Sequence, residues 1–249
     1  MGLFSKKSCS ICGGEIGLFG NRKLDDGNMC KNCAAKLSPW FSDRRKSTVA
    51  EIEEQLQYRE ANKEAIAAFN PTRTFGANMK LIIDEDAKKF VVTRERDLVK
   101  ANPDVIAFSQ VTGCDLDIDE NRSEEKRKDR EGNLVSYNPP RYTYSYDFDM
   151  VIRVNTPYFD TIRFSLNPSS VEINPDNPVT ADRAPDPRTN VDYCEFEAMG
   201  REIKAALTEV RNIGREDAAP KGPVKCPACG AQTVPTASGC CEYCGSALQ

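Results

Sequence analysis

An α+β fold, in which an antiparallel β-barrel or sandwich is closed by a C-terminal helix and flanked by two small metal-binding modules, is predicted by three observations. Four C-x-x-C pairs sit at the two ends of the 249-residue chain. Residues 141–154 alternate between apolar and polar side chains at all but Val151, and residues 192–213 repeat apolar side chains at helical spacing.

The first element is the stretch SCSICGGEIGLFGNRKLDDGNMCKNCA, at residues 8–34. A C-x-x-C turn lets two thiolates reach one ion while backbone N–H groups donate to the sulfurs, and a glycine after the second cysteine eases the positive-φ turn. Cys9 and Cys12 fit this with Gly13. Cys30 and Cys33 are instead followed by Ala34-Ala35-Lys36-Leu37, which reads as the first turn of a helix. A knuckle, a hairpin punctuated by Asp26-Gly27 and a ligand pair at a helix N-terminus make a treble-clef-like module over residues 1–46.

Residues 47–70 read as a connecting helix that opens on the capping box Thr48-Val49-Ala50-Glu51 and stops before Asn70-Pro71. Val49, Ile52 and Leu56 share one face, while Tyr58, Ala61, Ala65, Ala68 and Phe69 lie opposite, and Arg59 and Lys63 interrupt the first stripe. Two readings stand open, a strut touching different bodies with its two halves and a helix wrapping one core.

From Phe75 the period switches to two. Strands are expected at 78–83 and 89–93, joined by a hairpin, then at 105–108 and 111–118. The longest spans 141–154, with Tyr142, Tyr144, Tyr146, Phe148, Met150, Ile152 and Val154 on one face. Strands at 158–166 and 170–173 continue the meander. A proline-rich stretch then leads to an amphipathic helix from Asp192 to Ile213, ended by Gly214. Strands closed by a C-terminal helix over residues 71–213 follow the order of a pleckstrin-homology-like (PH-like) domain.

A linker at 214–225 carries Gly, Pro and charge without apolar periodicity. Beyond it, KCPACGAQTVPTASGCCEYCGSALQ places Cys226/Cys229 and Cys241/Cys244 in two C-x-x-C-G turns, a compact zinc ribbon over 226–249. Cys240 is left over. It could pair with Cys244 as C-x-x-x-C, but only Cys241 has the knuckle spacing.

The chain contains 11 cysteines and no histidine. Missing imidazole removes the commonest general base, the Ser-His and Cys-His nucleophile pairs, and every His-containing zinc site. Eight cysteines in metal-ligand spacing argue against a disulfide framework and for a reducing compartment, so a cytoplasmic chain with two structural Zn2+ is expected. A rubredoxin-like iron or a dithiol exchange pair is the lesser alternative. No apolar run approaches membrane length, the start MGLFSKKS lacks a secretory h-region, and Lys6 replaces the Ser or Thr of a myristoylation signal.

Other candidates read as structural. Asp115, Asp117 and Asp119 alternate on one strand face without the backbone carbonyls of a calcium loop, and make a solvated surface. Residues 120–132 are dense in both charge signs and read as an exposed hairpin insertion. Cys114 shares a face with Leu116 and Ile118 and reads as a buried small hydrophobe. Cys194 sits in the first turn of the last helix, away from the Phe196 stripe, where a lowered thiol pKa is possible, but no histidine or evident orienting partner accompanies it.

The order of a C-x-I-C-G…D-G-x-x-C-x-x-C unit, the phrases VIAFSQVTGCDLDIDE and YNPPRYTYSYDF, the closing helix and a terminal CPACG…CEYCG ribbon resembles a bacterial family whose N-terminal domain is labelled only as a domain of unknown function. The resemblance spans nearly the whole chain and implies cytosolic zinc-binding proteins, with no activity attached. The residues themselves show no acid/base pair, phosphate loop or nucleophile motif. A non-enzymatic adaptor that docks another protein is therefore expected, with a nucleic-acid-associated zinc protein as the alternative. The net charge of −4 disfavours a polyanion, although residues 1–46 hold nine Lys/Arg against four acids.

Overall fold

The computed structural model describes residues 7–218, 223–236 and 240–248, with backbone alone for 214–218. The start of the chain, with the expectations resting on Lys6, and part of the expected 214–225 linker lie outside the described residues. The N-terminal module contains two minimal hairpins, β1 (Lys7–Ser8) with β2 (Glu15–Ile16) and β3 (Arg22–Lys23) with β4 (Asn28–Met29), followed by the single turn α1 (Lys31–Ala34). Its own core is small: Ile16, Leu24, Met29 and Leu37 bury around the cysteines.

Helix α2 (Val49–Ala67) starts on the expected capping box, in which the Thr48 hydroxyl accepts from the Glu51 N–H and the Glu51 carboxylate accepts from the Thr48 N–H. Of the two readings left open, the strut is the one observed. Val49, Ile52 and Leu56 complete the core of the cysteine module, whereas Ile66 and Phe69 pack on Ile82 and Val91 of the β region. Between these ends the helix buries Gln55, Arg59 and Asn62. Arg59 and Asn62 bind the segment before β8: Arg59 Nη1 donates to Asp104 at 2.7 Å, and the Asn62 amide donates to the Pro103 carbonyl at 2.8 Å.

The β region consists of two four-stranded antiparallel sheets. One has the order β5 (Arg73–Phe75), β6 (Lys80–Asp84), β7 (Lys89–Thr93), β8 (Ile106–Ala107), with the short α3 (Leu98–Ala101) inserted before β8. The other is built on β10 (Leu134–Val154), which pairs along its length with β9 (Val111–Lys128). On its opposite edge β10 carries β11 (Thr161–Ser165) and β12 (Val171–Ile173) end to end. The alternation read from residues 141–154 is realised: Tyr144, Tyr146, Phe148, Met150, Ile152 and Val154 are all buried.

Helix α4 (Val191–Ala218) covers that apolar face with Tyr193, Ile203, Ala206, Leu207 and Val210, and the same core receives Leu81, Ile83, Phe90 and Val92 from the first sheet. Two edge-on ring contacts, Tyr193 with Tyr146 and with Phe148, both at 5.0 Å, seat the start of the helix.

Four expectations need correction. No closed barrel forms among the described residues, because β8 runs into a 3-10 turn at Phe108–Gln110 and no ladder joins the two sheets. Helix α4 continues through Gly214 to Ala218, since one interior glycine costs only about 1 kcal/mol against a run of helix formers. Residues 120–132 are exposed and belong to a hairpin as expected, but they are the outer part of β9, to Lys128, and the turn into β10, so the hairpin continues the sheet instead of standing apart as an insertion. The strand expected over 141–154 begins at Leu134, and Pro139 and Pro140 lie inside β10 at a register shift between Ser136 and Arg141, with a cis Asn138–Pro139 bond.

Candidate metal centres

The three C-x-x-C-G turns fold alike because the chain meets the same geometric demand three times. In each, the N–H of the glycine donates to the carbonyl of the first cysteine: Gly13 to Cys9, Gly230 to Cys226 and Gly245 to Cys241, all at 2.8 Å. The three glycines have φ of 71°, 76° and 71°, the left-handed region that a side chain disfavours. In each, the residue before the first cysteine pairs across the turn with the sixth residue after it: Ser8 with Glu15, Lys225 with Gln232, and Cys240 with Ala247. Cys240 thus occupies the place that Lys225 holds in the preceding turn.

The fourth C-x-x-C pair is built differently. Cys30 is the N-cap of α1, its sulfur accepting from the Cys33 N–H at 3.4 Å, while the Cys30 N–H donates to the Cys9 sulfur at 3.2 Å. The hairpin β3–β4 delivers this helical turn to the knuckle, and the Ser10 N–H fastens the two by donating to the Asn28 carbonyl at 2.7 Å. Knuckle, hairpin and helical turn thus follow one another along the chain.

Two groups of four sulfurs result. Cys9, Cys12, Cys30 and Cys33 converge at one end, and Cys226, Cys229, Cys241 and Cys244 at the other; within each group every Sγ lies within 4.8 Å of the others. Cys240 belongs to neither. Four ligands about 2.3 Å from a tetrahedral zinc stand about 3.8 Å apart. Three of the separations match that spacing closely: Cys12 to Cys30 at 3.9 Å, Cys226 to Cys244 at 3.6 Å and Cys229 to Cys241 at 3.7 Å. Among the described residues no carboxylate joins either group, and the donors are sulfur alone.

The electrostatics of both groups ask for a cation. Burial pushes the Cys9 thiol up, but backbone N–H groups of Cys30, Cys12 and Ile11 outweigh it and bring the pKa down to about 6. Cys33 moves oppositely, burial and the neighbouring sulfurs raising it to about 12. In the second group the Ser246 hydroxyl and N–H lower Cys244 to about 6. At Cys229 the Ala231 N–H pulls down, yet the Cys244 and Cys226 sulfurs push the thiol up to about 12. Some sulfurs in each cluster are prepared for negative charge and others are denied it by the first. A divalent ion at the centre removes that conflict.

The remaining candidates have structural partners. Asp115 pairs with Arg153 at 2.6 Å and with Lys204 at 3.1 Å, and Asp117 and Asp119 both face Arg163. The expected solvated acidic face is therefore laced with cations. Cys114 is half-buried against the main core, and burial, followed by the Asp115 charge, raises its thiol to about 12. Cys194 is exposed and donates to the Arg188 carbonyl at 3.2 Å. Sequence reasoning passed over one feature: Leu18 and Phe19, at the tip of the turn between β2 and β3, are 80 % and 88 % exposed. Two adjacent apolar residues beside Gly17 and Gly20 were the signal.

Residues 7–55 match a family described as a domain of unknown function, DUF4428. The match takes in the N-terminal cysteine group and the start of α2, the segment that folds as one small core. No curated protein and no solved structure gives a match.

Proposed function

We propose that this protein is a non-enzymatic cytoplasmic adaptor, whose two zinc modules are held closed by Cys9, Cys12, Cys30 and Cys33 and by Cys226, Cys229, Cys241 and Cys244. Closed four-thiolate sites leave no open coordination position and act as staples for segments too small to build a core. The zinc would supply folding energy and neutralise the clustered thiolates, with no chemistry at a substrate. The succession of two antiparallel sheets and a covering C-terminal helix supports a PH-like reading of residues 71–213, a scaffold that carries many unrelated binding functions.

The observation that carries the docking reading is the placement of Leu18 and Phe19. They stand exposed at the tip of a module that α2 joins to the β region through a buried polar seam. Two adjacent large apolar side chains left in water at the tip of a small module form a patch that a protein partner would cover. The basic residues behind the nucleic-acid alternative are partly committed within their own module. Arg44 Nη1 donates to the Lys23 carbonyl at 2.6 Å, and Lys46 pairs with Asp43 at 2.9 Å.

Crosslinking capture from native cells with the wild-type chain and a Leu18→Ser/Phe19→Ser variant tests the proposal. A protein enriched by the first and lost with the second supports docking through this tip. Micromolar nucleic-acid binding at ~150 mM salt that vanishes when Arg44, Arg45 and Lys46 become Ala would replace it with the alternative.

A further inference from the structure

The arm formed by β9 and β10 leaves one strand edge open. Among the described residues β9 pairs with β10 alone, and β10 uses its other edge for β11 and β12. Which β9 backbone groups face outward follows from β10. The Phe148 N–H donates to the Asn167 side chain and its carbonyl accepts from Leu166, both at 2.8 Å, while Tyr142 exchanges both of its bonds with Val179. Even-numbered residues of β10 therefore turn their backbone away from β9, and odd-numbered ones turn toward it. The register pairs Asp147 with Asp119, Ser145 with Asn121 and Thr143 with Ser123, so the odd residues of β9 are the ones bonded to β10. Even residues from Ile118 to Lys128 carry their N–H and C=O groups at the open edge. At the base of the strand that edge is occupied, since Arg211 of α4 donates to the outward Thr112 carbonyl at 3.3 Å.

An edge of this length normally carries charge to prevent pairing, and here the charges are ordered. Two copies of β9 related by a two-fold axis normal to the sheet must pair antiparallel, with residues of the same parity opposite each other. With Ser123 on the axis, Arg122 faces Glu124, Glu120 faces Lys126 and Asp119 faces Arg127, each pair made twice, and no like charges meet. Centring on Arg122 instead sets Arg122 against itself and Glu120 against Glu124. Centring on Glu124 sets Glu124 against itself and Arg122 against Lys126. The pattern selects one register and rejects its neighbours. In that register Arg122–Glu124 and Glu120–Lys126 are the hydrogen-bonded pairs, because even residues point outward. Two of these side chains are already held: Arg122 lies over the Tyr142 ring at 4.6 Å, and Glu120 accepts from the Tyr146 hydroxyl at 2.7 Å. Residues 119–123 and 126–128 are exposed.

We propose that this edge binds a second copy of the chain, the two β9 strands pairing antiparallel about Ser123 to join two sheets into one. The inference is independent of the zinc and adaptor readings.

Sedimentation of the full zinc-loaded protein over a range of concentrations tests it. A species of about twice the 27.7 kDa chain mass, weakened by salt, is expected. Arg122→Glu and Glu124→Arg should each shift it to monomer, and the combined swap R122E/E124R should restore it, because the opposite-charge pair is re-formed with its signs exchanged. Glu124→Arg keeps Arg122 on Tyr142, so its effect does not come from loss of that contact. Ser123 on the axis forms a non-hydrogen-bonded pair with Cα atoms about 4.5 Å apart, within disulfide range. Ser123→Cys should then give, on mild oxidation, a covalent dimer in which peptide mapping finds the two introduced thiols joined to each other. A monomer at every concentration, a dimer indifferent to both reversals, or a swap that fails to rescue would overturn the proposal.

Discussion

The guanidinium of Arg59 lies 2.7 Å from the carboxylate of Asp104, with 9 % and 0 % of the two side chains exposed. The pair ties the middle of α2 to the segment entering β8. Ser38 of the cysteine module donates its hydroxyl to the same carboxylate at 2.8 Å. Arg59 also donates to the carbonyls of Lys36 and Asn102. One carboxylate therefore joins the N-terminal module, the strut and the β region. Burial outweighs Arg59 and Ser38 in holding the Asp104 carboxyl above its usual range, the signature of a charge taken out of water at a cost.

Breaking this pair from one side should be severe. Arg59→Met alone or Asp104→Leu alone should cost about 3–5 kcal/mol, because each leaves a buried charge without its partner. The double replacement should recover much of that loss. Urea unfolding of the four proteins measures the coupling directly, and additive losses would show that the two residues act separately.

Gly76 should be intolerant of a side chain. It follows β5 with φ of 88°, and a Cβ there would collide with the Met79 carbonyl oxygen. Backbone strain and a backbone clash together should make Gly76→Ala cost about 2 kcal/mol or more, seen as a drop in Tm. An unchanged Tm would mean that the β5–β6 turn relaxes freely.

The parts that could be read from the sequence are those in which one local demand sets the residue. The three knuckle glycines, the Thr48–Glu51 capping box and the alternation along β10 are of that kind, and each forms where the pattern places it. The seam of α2 was not legible as a seam. Its buried positions Ile52, Gln55, Arg59, Asn62 and Ile66 follow three-four spacing, but three of the five are polar and cancel the hydropathy signal. What makes Arg59 and Asn62 interior residues is Asp104 and the backbone of Asn102 and Pro103, more than 40 residues downstream. The distal arm was missed for a related reason. Its strand character comes from the ladder between β9 and β10, while its β9 side is charged except at Asn121 and Ser123 and its β10 side is interrupted by Pro139 and Pro140.

Glu197 should give the α4 end of the fold a measurable acid sensitivity. Its nearly buried carboxylate accepts from Arg188 at 3.0 Å and Arg201 at 2.8 Å, and the Arg188 bond chiefly holds its pKa below the usual 4.5. A depressed carboxylate contributes stability above its unfolded pKa and loses it as pH falls through the folded value. Glu197→Gln should therefore be less stable than wild type at pH 7, by about 1 kcal/mol for a partly exposed pair, with the gap closing below pH ~4. A gap that persists at low pH would point to packing instead.

Cys240 and Cys241 should separate cleanly. The first sits in the backbone bridge before the knuckle and the second in the sulfur group, so Cys240→Ser should leave zinc content unchanged while Cys241→Ser lowers it by one ion per chain. Metal analysis after gel filtration decides. Equal losses from both would show that the two cysteines exchange as ligands.

The central claim is that each end of the chain closes around its own metal ion, and native mass spectrometry tests it most directly. Two zinc ions per chain are expected, with Cys9→Ser removing one and Cys226→Ser removing the other while the remaining site stays filled. One zinc per chain, or a metal content unmoved by Cys226→Ser, would contradict it.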